Sequence, residues 1–284
     1  MSVAARRLDG KAMAEARRSE IARRAGDVAH RRGTAPRLVV VLATQDEAAL
    51  TYAQAKERLG GKIGVRVDVA RPAVASTDEL VAAVQDLGAD PSVDGILIAT
   101  PLSRGFEARK VQNAVPVEKD VDGAAEASLG KLLTGQPGFV PATAEAVIAL
   151  LEGHGVAIDG RHAVVVGRSL TVGRPLAQLL LTQGATVTTC HSRTSDLAVH
   201  TLRADVLCVA AGRPRLVTGA MVRPGAVVVD VGTTVVDEVL TGDVDYPGVA
   251  AVAEAVSPVP GGVGPLTSVL LLEHVVRAAE AALR

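Results

Sequence analysis

The sequence of 284 residues has no tryptophan, two tyrosines, two phenylalanines and only two cysteines. Cys190 and Cys208 both fall in predicted strands, so we interpret them as small core residues in a reducing compartment and expect no disulfide. With a formal net charge of −1, the chain has no general attraction to nucleic acid or to an acidic membrane. No apolar run reaches membrane-spanning length, and Arg6, Arg7 and Asp9 interrupt the region where a secretory signal needs its apolar core. We therefore expect a globular cytosolic protein.

What is present is an alternation of apolar runs of helix and strand length, which predicts an α/β fold with parallel sheets. Asp9 is a suitable N-cap for a first helix over about residues 10–30. A first block of elements is predicted at residues 38–42, 47–59, 65–69, 77–87 and 95–98. A loop-rich passage, 116–141, and a joining helix, 142–154, separate it from strands at residues 163–166, 186–190, 206–210 and 226–231. A last helix to Leu283 is expected to pack back on the first block.

The second block opens with a glycine-punctuated turn. Gly167 and Gly173 follow a short buried strand and allow a close approach of the backbone to a phosphate. Pro175, whose fixed φ suits the first turn of a helix, begins an apolar helical run, and peptide N–H groups at such a helix start attract a diphosphate. The G-x5-G spacing is roomier than the usual dinucleotide fingerprint, so the turn alone is weak evidence for a nucleotide site.

No acidic residue follows the next strand, where an NAD-specific site would hold the ribose 2′-hydroxyl. His191, Ser192 and Arg193 stand there instead, and with Arg168 in the preceding turn they favour the 2′-phosphate of NADP, because arginine binds phosphate oxygens with paired donors. The alternative is that these arginines only solvate a loop. The expected cofactor-binding set is completed by Ser169 and, after the later strands, by Ala211, Gly212, Gly232 and Thr234.

Tyr52 and Lys56 lie four residues apart on a predicted helix and therefore share one face. A lysine sheltered from water loses part of its preference for the charged form and can move protons near neutral pH, and a neighbouring tyrosine can stack on a ring. The alternative is an exposed lysine above a half-buried tyrosine. The scarcity of aromatic residues gives slight support to a functional role for Tyr52.

Two further segments are candidate parts of a ligand site. Lys119-Asp120-Val121-Asp122-Gly123 offers two carboxylates that could accept hydrogen bonds from an amino-substituted heterocycle, although a simple Asx-turn explains it equally well. In the segment of residues 258–265, prolines such as Pro260 fix the path of the chain, while glycines such as Gly261 and Gly262 allow backbone amides to approach a ligand. We interpret it as a rigid wall of a site, which is compatible with a tight crossover between domains.

Together these segments resemble the bifunctional methylenetetrahydrofolate dehydrogenase/methenyltetrahydrofolate cyclohydrolase family nearly from end to end. The resemblance rests on the segments 8–11, 94–97, 119–123, 160–194, 242–244 and 258–267 and on the Tyr52/Lys56 pair. It implies two α/β domains with an active-site cleft between them: a catalytic domain formed by residues 1–141 and 269–284, and a Rossmann-like NADP-binding domain formed by residues 142–268. It also implies a homodimer, with no nucleic-acid, membrane or metal partner.

By this resemblance, NADP takes a hydride from 5,10-methylenetetrahydrofolate and water then opens the methenyl product. Lys56 matches the acid/base of the hydrolytic step, Tyr52 its active-site partner, and Asp122 the aspartate that holds the pterin. Pro260, Gly261 and Gly262 fall on the substrate side. Arg168, Ser169, Ser192 and Arg193 fall on the cofactor side.

Departures from the family pattern gather on the substrate side. Ala99 stands where the family has a glutamine that hydrogen-bonds the active-site lysine, so Lys56 is expected to lose an orienting partner and cyclohydrolase activity to be weak or absent. Other changes lie at residues 44–49, 141–144 and 232–234. Two alternatives therefore stay open: a diverged relative that acts with NADP(H) on a non-folate C=N or C=C compound, and a non-catalytic nucleotide-binding protein.

Overall fold

The structure is a computed structural model and describes residues 5–283. In chain order its elements are β1 (Arg6–Arg7), α1 (Gly10–Arg32), β2 (Arg37–Val41), α2 (Glu47–Ile63), β3 (Arg66–Ala70), α3 (Thr77–Ala89), β4 (Gly95–Ile98), α4 (Ala108–Asn113), α5 (Glu126–Thr134), α6 (Ala142–Gly153), β5 (His162–Val166), α7 (Gly173–Thr182), β6 (Thr186–Cys190), α8 (Leu197–Thr201), β7 (Val206–Val209), a 3-10 turn (Gly219–Met221), β8 (Val227–Asp230), β9 (Thr234–Val236), β10 (Val239–Thr241), α9 (Tyr246–Ala250), β11 (Ala255–Val256) and α10 (Val263–Ala281).

The described chain divides into two compact units. The three-strand unit comprises Ala16–Ala142 and residues 268–283, and the six-strand unit comprises residues 5–15 and Thr143–Thr267. The family resemblance places the first residues in the other domain. They group with the six-strand unit because β1 pairs in parallel with β11 at the edge of its sheet, Arg6 opposite Ala255.

In the three-strand unit, β2 lies between β3 and β4, and all strands are parallel. The apolar residues of β2 are buried because helices cover a parallel sheet on both faces. Val39 and Val41 pack with Leu80 and Val84 of α3 and with Ile96 of β4. The chain pairs β3 on one side of β2 and then crosses to β4 on the other side, which places a topological switch point between the ends of β2 and β4.

The six-strand unit has a fully parallel sheet with the order β1-β11-β8-β7-β5-β6. From β5 onward this is the doubly wound order 2-1-3-4-5, with its switch point between β5 and β7. Ligands bind at such a point, outside the carboxyl ends of the strands. The Rossmann-like prediction is confirmed at the level of the fold class.

An exposed hairpin leaves the six-strand sheet. β9 and β10 pair only with each other, antiparallel, with Val235 opposite Leu240 and Val236 opposite Val239. Asp237 and Glu238 connect them, both with positive φ, as a two-residue type I′ turn requires. This hairpin is not among the predicted elements, because its turn carries no glycine or asparagine.

Most predicted strands and long helices are confirmed within a few residues, and β4 and β6 match their predicted bounds. Cys190 and Cys208 are buried, unpaired strand residues, as expected. The passage 116–141 is only partly a loop, because it contains α5. Asp120 explains this helix: its Oδ2 accepts hydrogen bonds from the Ala125 N–H (2.8 Å) and the Ser128 hydroxyl (2.6 Å). Among the described residues, no helix is both long and apolar enough to cross a membrane.

Candidate active site

Helix α2 positions the Tyr52/Lys56 pair. It begins after Asp46, whose Oδ1 accepts a hydrogen bond from the Ala49 N–H at 2.9 Å, and the Thr44 hydroxyl accepts the Asp46 N–H at 3.2 Å. Segment 44–49, which departs from the family pattern, therefore forms a conventional helix cap. The start of α2 remains well defined despite the substitutions.

Lys56 and Tyr52 share one face of α2, as predicted. The Lys56 Nζ lies 4.1 Å from the centre of the Tyr52 ring. Lys56 is 1% exposed, whereas Tyr52 is 39% exposed, which contradicts the alternative of an exposed lysine above a half-buried tyrosine. Burial lowers the pKa of Lys56 to about 8, and the negative charge of Asp122 opposes this effect. Burial and, secondarily, Asp122 raise the pKa of the Tyr52 phenol.

The two carboxylates of segment 119–123 have different environments. Asp120 is fully buried and accepts hydrogen bonds at the start of α5, so the Asx-turn interpretation describes it. Asp122 is partly buried. Burial, followed by repulsion from Asp120, raises the pKa of Asp122 to about 7, while His274 and Lys56 act in the opposite direction. Asp122 therefore shares an electrostatic environment with the Tyr52/Lys56 pair.

Helix α10 contributes two side chains that the sequence analysis missed. The Lys56 Nζ donates a hydrogen bond to the Ser268 Oγ at 2.6 Å. His274 is buried, its Nδ1 lies 2.7 Å from the Val121 carbonyl oxygen, and its ring centre is 5.1 Å from that of Phe139. The signal available in the sequence was that Ser268 and His274 are polar residues within the apolar run of α10. Lys56 thus has an orienting partner, contrary to the expectation drawn from Ala99.

In the six-strand unit, the predicted phosphate turn follows β5. Gly167 has φ 134°, and a Cβ there would collide with the Ala210 carbonyl oxygen. A Cβ on Gly173 would collide in turn with the backbone of Gly167, so both glycines are required for the turn to close. The Ser169 Oγ accepts hydrogen bonds from the N–H groups of Val172 (3.1 Å) and Gly173 (3.3 Å).

A cavity of about 390 Å³ lies at the switch point between β5 and β7. Six of the predicted cofactor residues line it: Gly167, Arg168, Ser169, His191, Ser192 and Ala211. Arg213, after β7, also lines the cavity and was missed, although the rule that singled out Arg168 and Arg193 applies to it equally. Because arginine side chains and hydroxyls meet a glycine turn here, the lining fits a phosphorylated dinucleotide.

The remaining predicted cofactor residues lie outside the cavity lining: Gly173, Pro175, Arg193, Gly212, Gly232 and Thr234. Pro175 is in the first turn of α7, as predicted, and Thr234 begins β9. Arg193 is exposed and its N–H donates a hydrogen bond to the His191 Nδ1 at 3.1 Å.

Segment 242–244 supports the loops around this cavity. The Asp243 Oδ2 accepts hydrogen bonds from the N–H groups of Ala211 (2.6 Å) and Gly212 (2.8 Å). Asp230 Oδ1 accepts the Gly232 N–H at 3.0 Å, and burial raises the pKa of Asp230 to about 6. Both carboxylates are buried, so they fix the loops that follow β7 and β8.

The predicted rigid wall is also held by backbone contacts. The Gly261 carbonyl oxygen accepts hydrogen bonds from the N–H groups of Gly10 (3.0 Å) and Lys11 (3.1 Å), and Gly262 N–H donates to the Pro258 carbonyl oxygen at 2.8 Å. A Cβ on Gly10 would collide with Gly262. The start of α1 therefore anchors the segment that contains Pro260, within the six-strand unit. The close contact with Gly262 therefore explains the glycine at residue 10 of segment 8–11.

Comparisons with known proteins agree with this geometry. The family model described as tetrahydrofolate dehydrogenase/cyclohydrolase, catalytic domain, matches residues 8–122, and that of the NAD(P)-binding domain matches residues 141–283. A protein of Parafrankia sp. named bifunctional protein FolD is 50% identical over 277 residues, which are 96% of this chain and 99% of that protein. The protein of the same name from Nitrosospira multiformis is 45% identical over 282 residues, which are 99% and 98% of the two chains.

Solved structures agree as well. The bifunctional FolD methylenetetrahydrofolate dehydrogenase/cyclohydrolase of Campylobacter jejuni has a TM-score of 0.93 at 36% identity and covers 96% of this chain and 98% of its own. The enzyme of Trypanosoma brucei, solved with NADP cofactor and an inhibitor, has a TM-score of 0.94 at 32% identity and covers 99% of both chains. Since both family models and full-length relatives match, this chain belongs to the tetrahydrofolate dehydrogenase/cyclohydrolase family.

Proposed function

We propose that the protein oxidises 5,10-methylenetetrahydrofolate with NADP and hydrolyses the resulting methenyl compound. The observation that carries this proposal is the buried amine of Lys56, with its pKa lowered to about 8, beside Tyr52 and Asp122. A lysine poised near neutral pH is suited to proton transfer, and structural ion pairs do not explain its burial. The family relatives support the folate chemistry.

In this proposal, the three-strand unit holds the substrate. Asp122 accepts hydrogen bonds from the N–H groups of the pterin, and this pairing favours its ionised form. The exposed part of the Tyr52 ring stacks on the heterocycle. Pro260, Gly261 and Gly262 contribute backbone groups on the substrate side, as the resemblance implies.

The six-strand unit holds NADP, which when bound supplies the hydride acceptor. Backbone N–H groups of the turn at Gly167 face the diphosphate, at the start of α7. Arg168, Ser192 and Arg213 line the cavity and bind the 2′-phosphate. Arg193 adds positive charge beside the cavity, and Gly173, Gly212, Gly232 and Thr234 shape the loops around it.

Lys56 acts in hydrolysis as a base and then as an acid. Water adds to the methenyl carbon, and the neutral amine of Lys56 takes one proton from it. The same proton returns to the leaving nitrogen as its bond to that carbon breaks. The added hydroxyl releases its remaining proton to solvent as it becomes the carbonyl oxygen, which leaves a formyl group on the other nitrogen. Lys56 needs a fixed orientation for both transfers, and Ser268 supplies a hydrogen bond.

The relatives and the site do not support the expected loss of hydrolysis. They also do not support the two alternatives, a diverged relative with a non-folate substrate and a non-catalytic nucleotide-binding protein. The relatives at 45% and 50% identity carry the name bifunctional, and Lys56 keeps a hydrogen-bonding partner despite Ala99. Tyr52, Lys56 and Asp122 are grouped, which is unexpected in a non-catalytic binding protein. We therefore propose both activities.

The first experiment mixes purified protein with 5,10-methylenetetrahydrofolate and NADP and follows NADPH and the methenyl compound separately, with NAD as the cofactor control. NADPH formation without lasting accumulation of the methenyl compound is expected. Accumulation would limit the function to the dehydrogenase step. No reaction with either cofactor would overturn the proposal and favour a diverged relative.

We further propose that the protein is a cytosolic homodimer. The resemblance implies the dimer, and the β9–β10 hairpin offers a surface for it, because four apolar side chains on its two faces are exposed: Val235, Val236, Val239 and Leu240. The two buried, unpaired thiols are typical of a reducing compartment.

A further inference from the structure

Among residues 5–283, Lys56 makes its only side-chain hydrogen bond to helix α10. Its Nζ lies 2.6 Å from the Ser268 Oγ, and Ser268 is itself partly buried. The groups that face Lys56 are Tyr52 on its own helix, Asp122 in the loop before α5, and Ser268 on α10. Asp120 and His274 in turn act on Asp122. A neutral hydroxyl is thus the one hydrogen-bonding partner that orients the amine.

The family resemblance implies a glutamine at the position of Ala99 that would hydrogen-bond the lysine. Ala99 is buried at the end of β4 and its side chain has no hydrogen-bonding group. A buried lysine without any partner would bear the full cost of an unsatisfied ammonium group. We therefore expect another element to supply a hydrogen-bonding group in place of the glutamine side chain. In the structure, this group is the hydroxyl of Ser268 on α10.

We propose that Ser268 is a positioning residue for Lys56 and replaces the glutamine that this chain lacks at residue 99. The serine hydroxyl accepts an N–H from the charged lysine and donates its O–H to the lone pair of the neutral amine. The hydrogen bond is therefore available on both sides of the proton transfer. This inference rests on the proposed hydrolytic function and extends it to a residue outside the family motif.

The test compares Ser268→Thr with Ser268→Val, because these side chains have nearly the same shape and differ in the hydroxyl. Hydrolysis of methenyltetrahydrofolate by Ser268→Val should show a kcat about tenfold lower, with KM nearly unchanged, since one hydrogen bond to a charged group is lost. Ser268→Thr should keep most of the activity. The NADP affinity and the melting temperature of both variants show whether either has lost its fold. Ser268→Ala is a second variant without the hydroxyl.

Double substitution tests the replacement directly. Ala99→Gln alone should change hydrolysis little, whereas Ala99→Gln in the Ser268→Val background should restore most of the lost kcat. Such a departure from additivity is expected only if both positions orient the same lysine. Recovery would support the proposal, and equal effects of Ala99→Gln in both backgrounds would overturn it.

A measurement without substrate separates this inference from the proposed function. The chain has six lysines, so the titration of Lys56 can be followed by NMR with 13C-labelled lysine and assigned with Lys56→Met. Ser268→Val should lower the pKa of Lys56 by roughly one unit relative to Ser268→Thr, because the charged form loses an acceptor. Equal pKa values in the two variants would overturn the positioning role even in a protein without folate activity. Absence of folate turnover with a shifted pKa would instead count against the proposed function alone.

Discussion

The ammonium group of Lys56 lies 4.1 Å from the centre of the Tyr52 ring, in a position almost closed to solvent. The negative face of the ring attracts the cation and offsets part of the cost of burial. Burial still dominates, because the pKa of Lys56 is lowered to about 8. A lysine in this state divides between its two protonation forms within the range where a hydrolase works.

Lys56→Met removes the amine but keeps a flexible chain of similar length. Hydrolysis should fall by about 100-fold or more, as is typical when a general acid/base is lost. NADP affinity should change less than twofold, because the cofactor cavity belongs to other residues. The measurements are methenyl hydrolysis, NADPH formation and NADP affinity. Lys62→Met, an exposed lysine of the same helix, is the matched control, and equal hydrolysis by the two variants would remove Lys56 from the mechanism.

Asp122 should make stability depend on pH. Its pKa is about 7 in the fold against an ordinary value of 3.8, so between these values the folded state binds more protons than the unfolded state. This contribution is fully present below about pH 4 and is lost as the pH rises through 7, with a magnitude of at most a few kcal/mol. Asp122→Asn lacks this dependence. Urea unfolding of both proteins from pH 4 to 8 should show the variant gaining stability relative to wild type as the pH rises; a constant difference would contradict the raised pKa.

The sequence predicted the parts of the fold that local pattern controls. The buried strand β4 is a continuous apolar run between turn residues, and β6 is a run of mostly β-branched residues at the edge of its sheet. The spacing of Tyr52 and Lys56 determines that they share a helical face. β1 and β11 have two residues each, and only their pairing with neighbouring strands makes them recognisable. The β9–β10 hairpin was missed because Asp237 and Glu238 adopt a conformation usually reserved for glycine or asparagine.

The site was predicted less completely because its electrostatics depend on distant parts of the chain. Ser268 is 212 positions from Lys56, so no local pattern could pair them, and the loss of glutamine at Ala99 suggested an unsupported lysine. Asp120 and Asp122 look alike in sequence, and only the fold shows that the first accepts hydrogen bonds from Ala125 and Ser128 at the start of α5. Arg213 could have been found, because it follows a predicted strand end on the cofactor side.

Ser192→Asp should change the cofactor preference. Ser192 lines the cavity, and an aspartate there would repel a 2′-phosphate while accepting a hydrogen bond from a 2′-hydroxyl. The affinity for NADP should fall by about tenfold or more, and the affinity for NAD should rise. Binding of both cofactors by titration calorimetry measures the ratio. Ser195→Asp adds the same charge three residues further on, outside the cavity lining, and should leave the ratio unchanged; an equal effect would mean that general charge determines the preference.

The exposed hairpin should control assembly. Val235 is 67% and Val239 62% exposed, and they lie on opposite faces of the hairpin. Burial of each valine in an interface would contribute about 1.5 kcal/mol or more, whereas a lysine there would be a buried, unpaired charge. The double variant Val235→Lys/Val239→Lys should therefore be a monomer at micromolar concentration in sedimentation velocity, where a dimer is expected for the wild type. Val199→Lys, at a residue 51% exposed in the same unit, controls for added charge and should remain dimeric. A monomeric wild type, or a dimer that survives both lysines, would show that the hairpin is not the interface.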